Sequence, residues 1–193
     1  MGVMRRVARP ASLPGVHMPG AGFEAPFDML AACHERVERM LALLVRLQQH
    51  MLERGRDDSV RQAARDVMRY FDLAAPLHHQ DEELHVFPPL LAGPDAGLRT
   101  VVQRLLQDHR DMEAAWPAAR SVLLEIAEGP VAGWVALTAT QTAALSRFAG
   151  LYERHLADED RLAYPAAQAV LTAQALQAMS RDMMQRRGVR AAN

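Results

Sequence analysis

Lysine is missing altogether from these 193 residues; all 22 basic side chains are arginines. Against 23 acids they leave a formal net charge of -1 and a pI of about 6.7. That balance recruits neither nucleic acid nor an anionic membrane surface. The arginines are scattered, so their exclusive use is a composition bias and specifies no partner. Cysteine occurs once, at Cys33, which excludes a disulfide framework within the chain and makes a reducing compartment the default. Aromatics are only 5% of residues against 50% apolar, so the core is aliphatic and methionine-rich. No apolar run reaches the roughly 18 residues of a membrane span. The opening MGVMRRVARPASLPGVHMPGAG has no continuous apolar stretch of signal-peptide length. These absences lead to the expectation of a soluble, cytoplasmic protein. An alternating strand pattern is missing too.

What is present is helical periodicity. The length suits one domain. Residues 1–24, rich in Pro and Gly, read as a flexible N-terminal arm, and 25–193 as a helical domain. From Pro26 the spacing of Leu30, His34, Val37, Leu41, Leu44 and Arg46 or Leu47 predicts a first helix to about Glu53. Asp58 or Ser59 is the expected N-cap of a second, running to about Val86, kinked at Pro76 and ended by Pro88 and Pro89. A third helix occupies roughly residues 98–129, with a bend at Pro117. GPVAG is a turn, and a fourth helix runs from about Trp134 to Ala163, stopped by Tyr164-Pro165. A last helix, about 167–187, ends at Gly188. Short loops between long helices predict an all-α, up-down-up-down four-helix bundle with an additional C-terminal helix.

Chemistry concentrates in a repeated pattern. His78-x3-Glu82 precedes Phe87-Pro88, and His155-x3-Glu159 precedes Tyr164-Pro165; the aromatic stands nine residues after the histidine in both. Residues four apart share a helix face, and the apolar residues leading up to each pair turn that face inward. Two buried carboxylates facing each other repel unless a cation lies between them. Imidazole nitrogens combined with carboxylates suit iron, manganese or zinc. His34 and His109 lie on apolar faces of the other two helices. The sum is four histidines and two carboxylates at the centre of a bundle.

The segments CHERVERML, HHQDEELHVFP, DHRDME and HLADEDRLAYP resemble the hemerythrin-like, or HHE, cation-binding domain over about residues 26–165. The resemblance implies a non-heme centre of two iron ions, with His34, His78, His109 and His155 as terminal ligands. Glu82 and Glu159 would bridge the irons together with an oxo or hydroxo group; manganese or zinc are the alternatives. Each iron would keep an open position for O2, NO or peroxide. The implied function is small-ligand binding or reaction in sensing or stress response. The rivals are a di-iron oxidase or peroxidase, an iron-handling protein, and a metal-stabilised interaction module using the face of 167–187. No nucleic-acid or membrane partner is expected.

The chain also departs from the oxygen carriers of that family. Glu113 stands where they have a second histidine in the third helix. Asp160 fits their H-x4-D spacing, while Glu159 repeats the His78/Glu82 geometry. His79 and Glu83 are the register alternative, about 100° round the helix. His85 is read as an outer partner or exposed, His17 and His50 as solvated, and Cys33 as an apolar filler. Tyr152, one turn before His155, is a core residue within reach of a bound ligand.

Overall fold

The computed structural model describes residues 22–129 and 136–189. It has no strand among them, and its helices form an antiparallel bundle closed into a ring. The first is α1 (Pro26–Arg54). The second is a continuous run made of α2 (Asp58–Asp81), a π-helical turn (Glu82–Val86) and α3 (Phe87–Ala92). The third is α4 (Ala96–Glu128), which contains Pro117. The fourth repeats the design of the second: α5 (Ala139–Gly150), α6 (Tyr152–Asp158), a π-helical turn (Glu159–Ala163) and α7 (Tyr164–Val170). A last helix, α8 (Ala173–Arg186), packs on α1 and α2.

Caps explain most boundaries. Asp57, one residue earlier than predicted, accepts from the Val60 amide at 3.0 Å and also holds His50 at 2.8 Å. His50 is thus tied to a helix start rather than simply solvated. Thr138 and Gln141 form a reciprocal capping box at the start of α5. The predicted start at Trp134, like the GPVAG turn after Gly129, His17 and most of the expected N-terminal arm, lies outside the described residues. Phe23, within the arm as drawn from sequence, is buried. Gly188 takes φ +66° after α8, and the bonds Val189 N–H to Met184 C=O and Gly188 N–H to Gln185 C=O complete a Schellman motif.

The prolines do not stop the helices as predicted. In a regular α-helix a proline ring collides with the carbonyl four residues back. Pro88 and Pro165 each follow a π turn, in which Phe87 N–H bonds Glu82 C=O and Tyr164 N–H bonds Glu159 C=O, five residues back. The wider turn accommodates Pro88 and Pro165, and the helices continue to Ala92 and Val170. The C-terminal helix accordingly starts at Ala173, capped by Thr172, and not at 167.

Two apolar clusters fill the interior. One contains Val37, Leu44, Val67, Phe71, Met112, Phe148 and Leu156. The other contains Leu30, Val86, Phe87, Leu105, Ala163, Tyr164, Met179 and Met183. On every helix of the ring the sequence crosses from one cluster to the other at the same level. The residues at the crossing are His34, His78 to Glu82, His109, and His155 to Glu159.

Candidate metal centre

All six residues singled out from the sequence meet in that layer, and none is more than 3% exposed. The two carboxylates stand in the middle. His34 Nε2 lies 3.2 Å from Glu159 Oε2, and His155 Nε2 lies 3.1 Å from Glu159 Oε1. His78 Nε2 lies 3.5 Å from Glu82 Oε1, and His109 Nε2 lies 3.5 Å from Glu82 Oε2 and 3.7 Å from Glu159 Oε1. Four helices therefore each aim an Nε2 atom at one small volume.

These approaches are close without being hydrogen bonds. His78 Nδ1 and Nε2, Glu82 Oε2, His109 Nε2, His155 Nε2 and both Glu159 oxygens have no hydrogen-bond partner. A buried polar atom left so costs about 1–3 kcal/mol, and such a concentration in one layer calls for a common partner. Atoms that lie near one another yet point elsewhere share a third point, as ligands of a cation do.

The outward nitrogens fix the imidazoles. His34 Nδ1–H donates to Asp160 at 2.9 Å, His109 Nδ1–H to Glu83 at 2.7 Å, and His155 Nδ1–H to Asp108 at 3.3 Å. A carboxylate on one ring nitrogen sets the tautomer and makes the other a better donor to a metal. Sequence reasoning placed Glu83 and Asp160 as register alternatives to the central pair. They instead sit partly exposed, holding histidines from other helices, while Glu82 and Glu159 are fully buried. Asp108 was missed; its only sequence signal is an acid adjoining His109.

His79 is set differently from His78. Its nitrogen comes within 4.8 Å of those of His109 and His155, but its ring stacks on His109 at 3.9 Å and 11°. An imidazole lone pair lies in the ring plane, so two parallel rings in face contact cannot share an ion. His34, His78, Glu82 and Glu159 form the other compact set of donors. Glu113 is exposed, and Met112 beside it faces inward, so the acid stands away from the layer. His85 pairs with Asp182 of α8 at 2.7 Å. Tyr152 is buried in an aromatic group with Phe71 and Phe148. Cys33 is half-buried, and its carbonyl accepts from the Tyr70 hydroxyl at 3.2 Å.

With only protons to share, the layer splits its charge. Burial and the facing Glu159 push Glu82 up to about 7. Burial would raise Glu159 as well, but His155, His109 and His34 hold it well below the usual carboxylate range. The imidazoles respond in kind. Burial pulls each of them down, yet carboxylates overcome it at His34 (about 12), His155 (about 10) and His109 (about 9). His78, whose Nδ1 has no partner, is driven well below the ordinary value by burial and by the neighbouring His34. A cation between the carboxylates would let both ionise and all four imidazoles stay neutral.

The family model of the hemerythrin HHE cation-binding domain matches residues 25–167. An uncharacterized protein of Haemophilus influenzae is similar over 171 residues at 30% identity, covering 88% of this chain and 94% of the relative. No described helix is long and apolar enough to cross a membrane. With a matching domain model over most of its length and a buried His/Glu layer that fits a metal site, the chain belongs to the hemerythrin HHE cation-binding family.

Proposed function

We propose that the chain is a non-heme di-iron protein that binds or reacts with a small ligand, O2, NO or peroxide, in sensing or stress response. The metal ligands in this reading are His34, His78, His109, His155, Glu82 and Glu159. The observation that carries it is the set of unpartnered nitrogen and oxygen atoms converging from four helices in one buried layer. Nitrogen and carboxylate donors in this ratio suit iron, with manganese and zinc as chemical competitors.

Bound there, a pair of redox-active ions would supply electrons to a small oxidant or a binding position for it. The chain's own part is positional. Asp160, Glu83 and Asp108 hold three imidazoles with Nε2 inward, and the two apolar clusters exclude bulk water on either side. Imidazoles fixed in this way favour a resident cofactor over transported cargo, because release would leave several buried groups without partners.

The test is metal analysis of the purified protein with its visible spectrum. Spectra are recorded oxidised, reduced, and after exposure to O2, NO and peroxide. Close to two irons per chain and a spectrum that responds to one of these ligands are expected. One tightly held zinc with no response would end the reading. Sustained peroxide turnover would turn it into a peroxidase.

A further inference from the structure

We propose that Tyr164 is an oxygen ligand to the metal position bounded by His34, His78, Glu82 and Glu159, and that the two metal positions are therefore chemically unequal. The proposal rests on the metal-centre reading above and adds a donor to it.

Tyr164 sits at the layer's edge and is 5% exposed. Its hydroxyl donates to Glu82 Oε1 and lies 2.8 Å from His34 Nε2. Both of those atoms belong to residues read as ligands. Metal–oxygen and metal–nitrogen bonds of about 2.0–2.2 Å place adjacent donors on one ion at a right angle about 3 Å apart. The hydroxyl oxygen at 2.8 Å from His34 Nε2 and Glu159 Oε2 at 3.2 Å from the same nitrogen each have this spacing to it. The phenol ring is held by stacking on His34 at 5.1 Å and by an edge contact with Phe27 at 5.8 Å. A phenolate oxygen carries lone pairs in more than one direction, so this stacking does not prevent ligation as it does for His79.

The π turn puts the hydroxyl there. Five residues beyond Glu159 on an α-helix lies about 140° round from it. The Tyr164 N–H to Glu159 C=O bond widens the turn and brings the tyrosine back towards the glutamate's face. The same turn after Glu82 brings Phe87 to the equivalent place, 5.6 Å from the His109 ring and 1% exposed. The repeat thus supplies an oxygen on one side and a bare ring on the other. An ion held by His109 and His155 would receive no fifth protein donor from its repeat, which would leave that side for an external ligand. Entry of the metal displaces the phenolic proton to solvent, as metal binding does with other protonated ligands.

The experiment loads metal-free full-length chain with ferrous iron, oxidises it with ferricyanide, and records visible and resonance Raman spectra. Tyrosine occurs three times in the chain, at 70, 152 and 164. The expected result is a phenolate-to-iron charge-transfer band that survives Tyr70→Phe and Tyr152→Phe and disappears in Tyr164→Phe. Should Tyr164→Phe fail to fold, survival of the band in the double variant Tyr70→Phe/Tyr152→Phe assigns it to Tyr164 alone. A wild-type protein that holds two ferric ions without a phenolate band overturns the proposal and leaves the metal centre standing. So does a band that persists in Tyr164→Phe. A chain that takes up no metal defeats both.

Discussion

His109 Nδ1 and Glu83 Oε1 lie 2.7 Å apart, joining the third helix to the residue that follows the central carboxylate of the second. Asp160, which follows Glu159, does the same for His34. Each E-acid pair thus uses its first carboxylate inside the layer and its second outside it, on a histidine from a different helix. Glu83→Gln and Asp160→Asn are expected to weaken metal affinity by about 10–100-fold without unfolding the chain. Glu82→Gln should remove most of the metal. Competition with a chromophoric chelator ranks the three, and equal affinities for Glu83→Gln and Glu82→Gln would reverse the assignment.

His78→Ala and His155→Ala should each lose most of the iron, whereas His50→Ala, at the Asp57 cap, should keep it. Metal that binds only the folded state stabilises it by about 2.7 kcal/mol at a free concentration one hundred times Kd. The two ligand variants should therefore lose the melting-temperature increase that metal gives the wild type. Calorimetry with and without added iron measures this.

The metal-free protein should become less stable as pH rises above the unfolded histidine value of about 6.5. Burial lowers His155 and His109, but Glu159 with Asp108 and Glu83 raises them to about 10 and about 9. A raised histidine gives its full stabilisation below the unfolded value of about 6.5 and loses it as pH climbs through the folded value. Glu82, raised to about 7 by burial and Glu159, acts with the same sign from lower pH. Metal-bound imidazoles have already lost their protons, so the loaded protein escapes this decline. The gap in melting temperature between loaded and metal-free protein should widen from pH 6.5 to pH 9. A constant gap would refute the proton–metal competition.

Asp81, fully buried beside Glu82, is held by Arg186 at 2.5 Å and Arg187 at 2.6 Å, from the end of α8. Replacing both arginines by alanine strands a buried carboxylate and should cost about 3–5 kcal/mol. Adding Asp81→Leu to that variant should recover part of the loss. Urea unfolding of the three proteins tests this, and a double variant as stable as wild type would show that the clasp contributes nothing.

Glu113→His should leave iron content and spectrum unchanged, because the position faces solvent and Met112 takes the inward place. A gain of a histidine-dependent spectral shift would mean that α4 is rotated from the orientation seen here.

The bundle was legible because helical periodicity is local: the spacing of Leu30, His34, Val37 and Leu44 fixes a face before anything packs against it. The six central residues were legible for the same reason, as inward positions whose chemistry repeats. Meanwhile Pro88 and Pro165 misled, since the π turn before each leaves room for the proline ring and the helix runs on. The constant interval from Glu82 to Phe87 and from Glu159 to Tyr164 was visible, but its meaning as a π turn lay in backbone bonds that a sequence does not display.

Composition and spacing by themselves determined an all-α chain with a histidine and carboxylate layer, because each depends on residues within a turn or two of one another. Only the tertiary structure decided the pairing of His34 with Asp160, His109 with Glu83 and His155 with Asp108, the arrival of Tyr164 at Glu82, and the clasp of α8 on Asp81. Those contacts join positions 26 to 126 residues apart. Their distances are set by how the helices pack and by the extra residue in each π turn. A shift of one residue in either would turn the same side chains towards solvent.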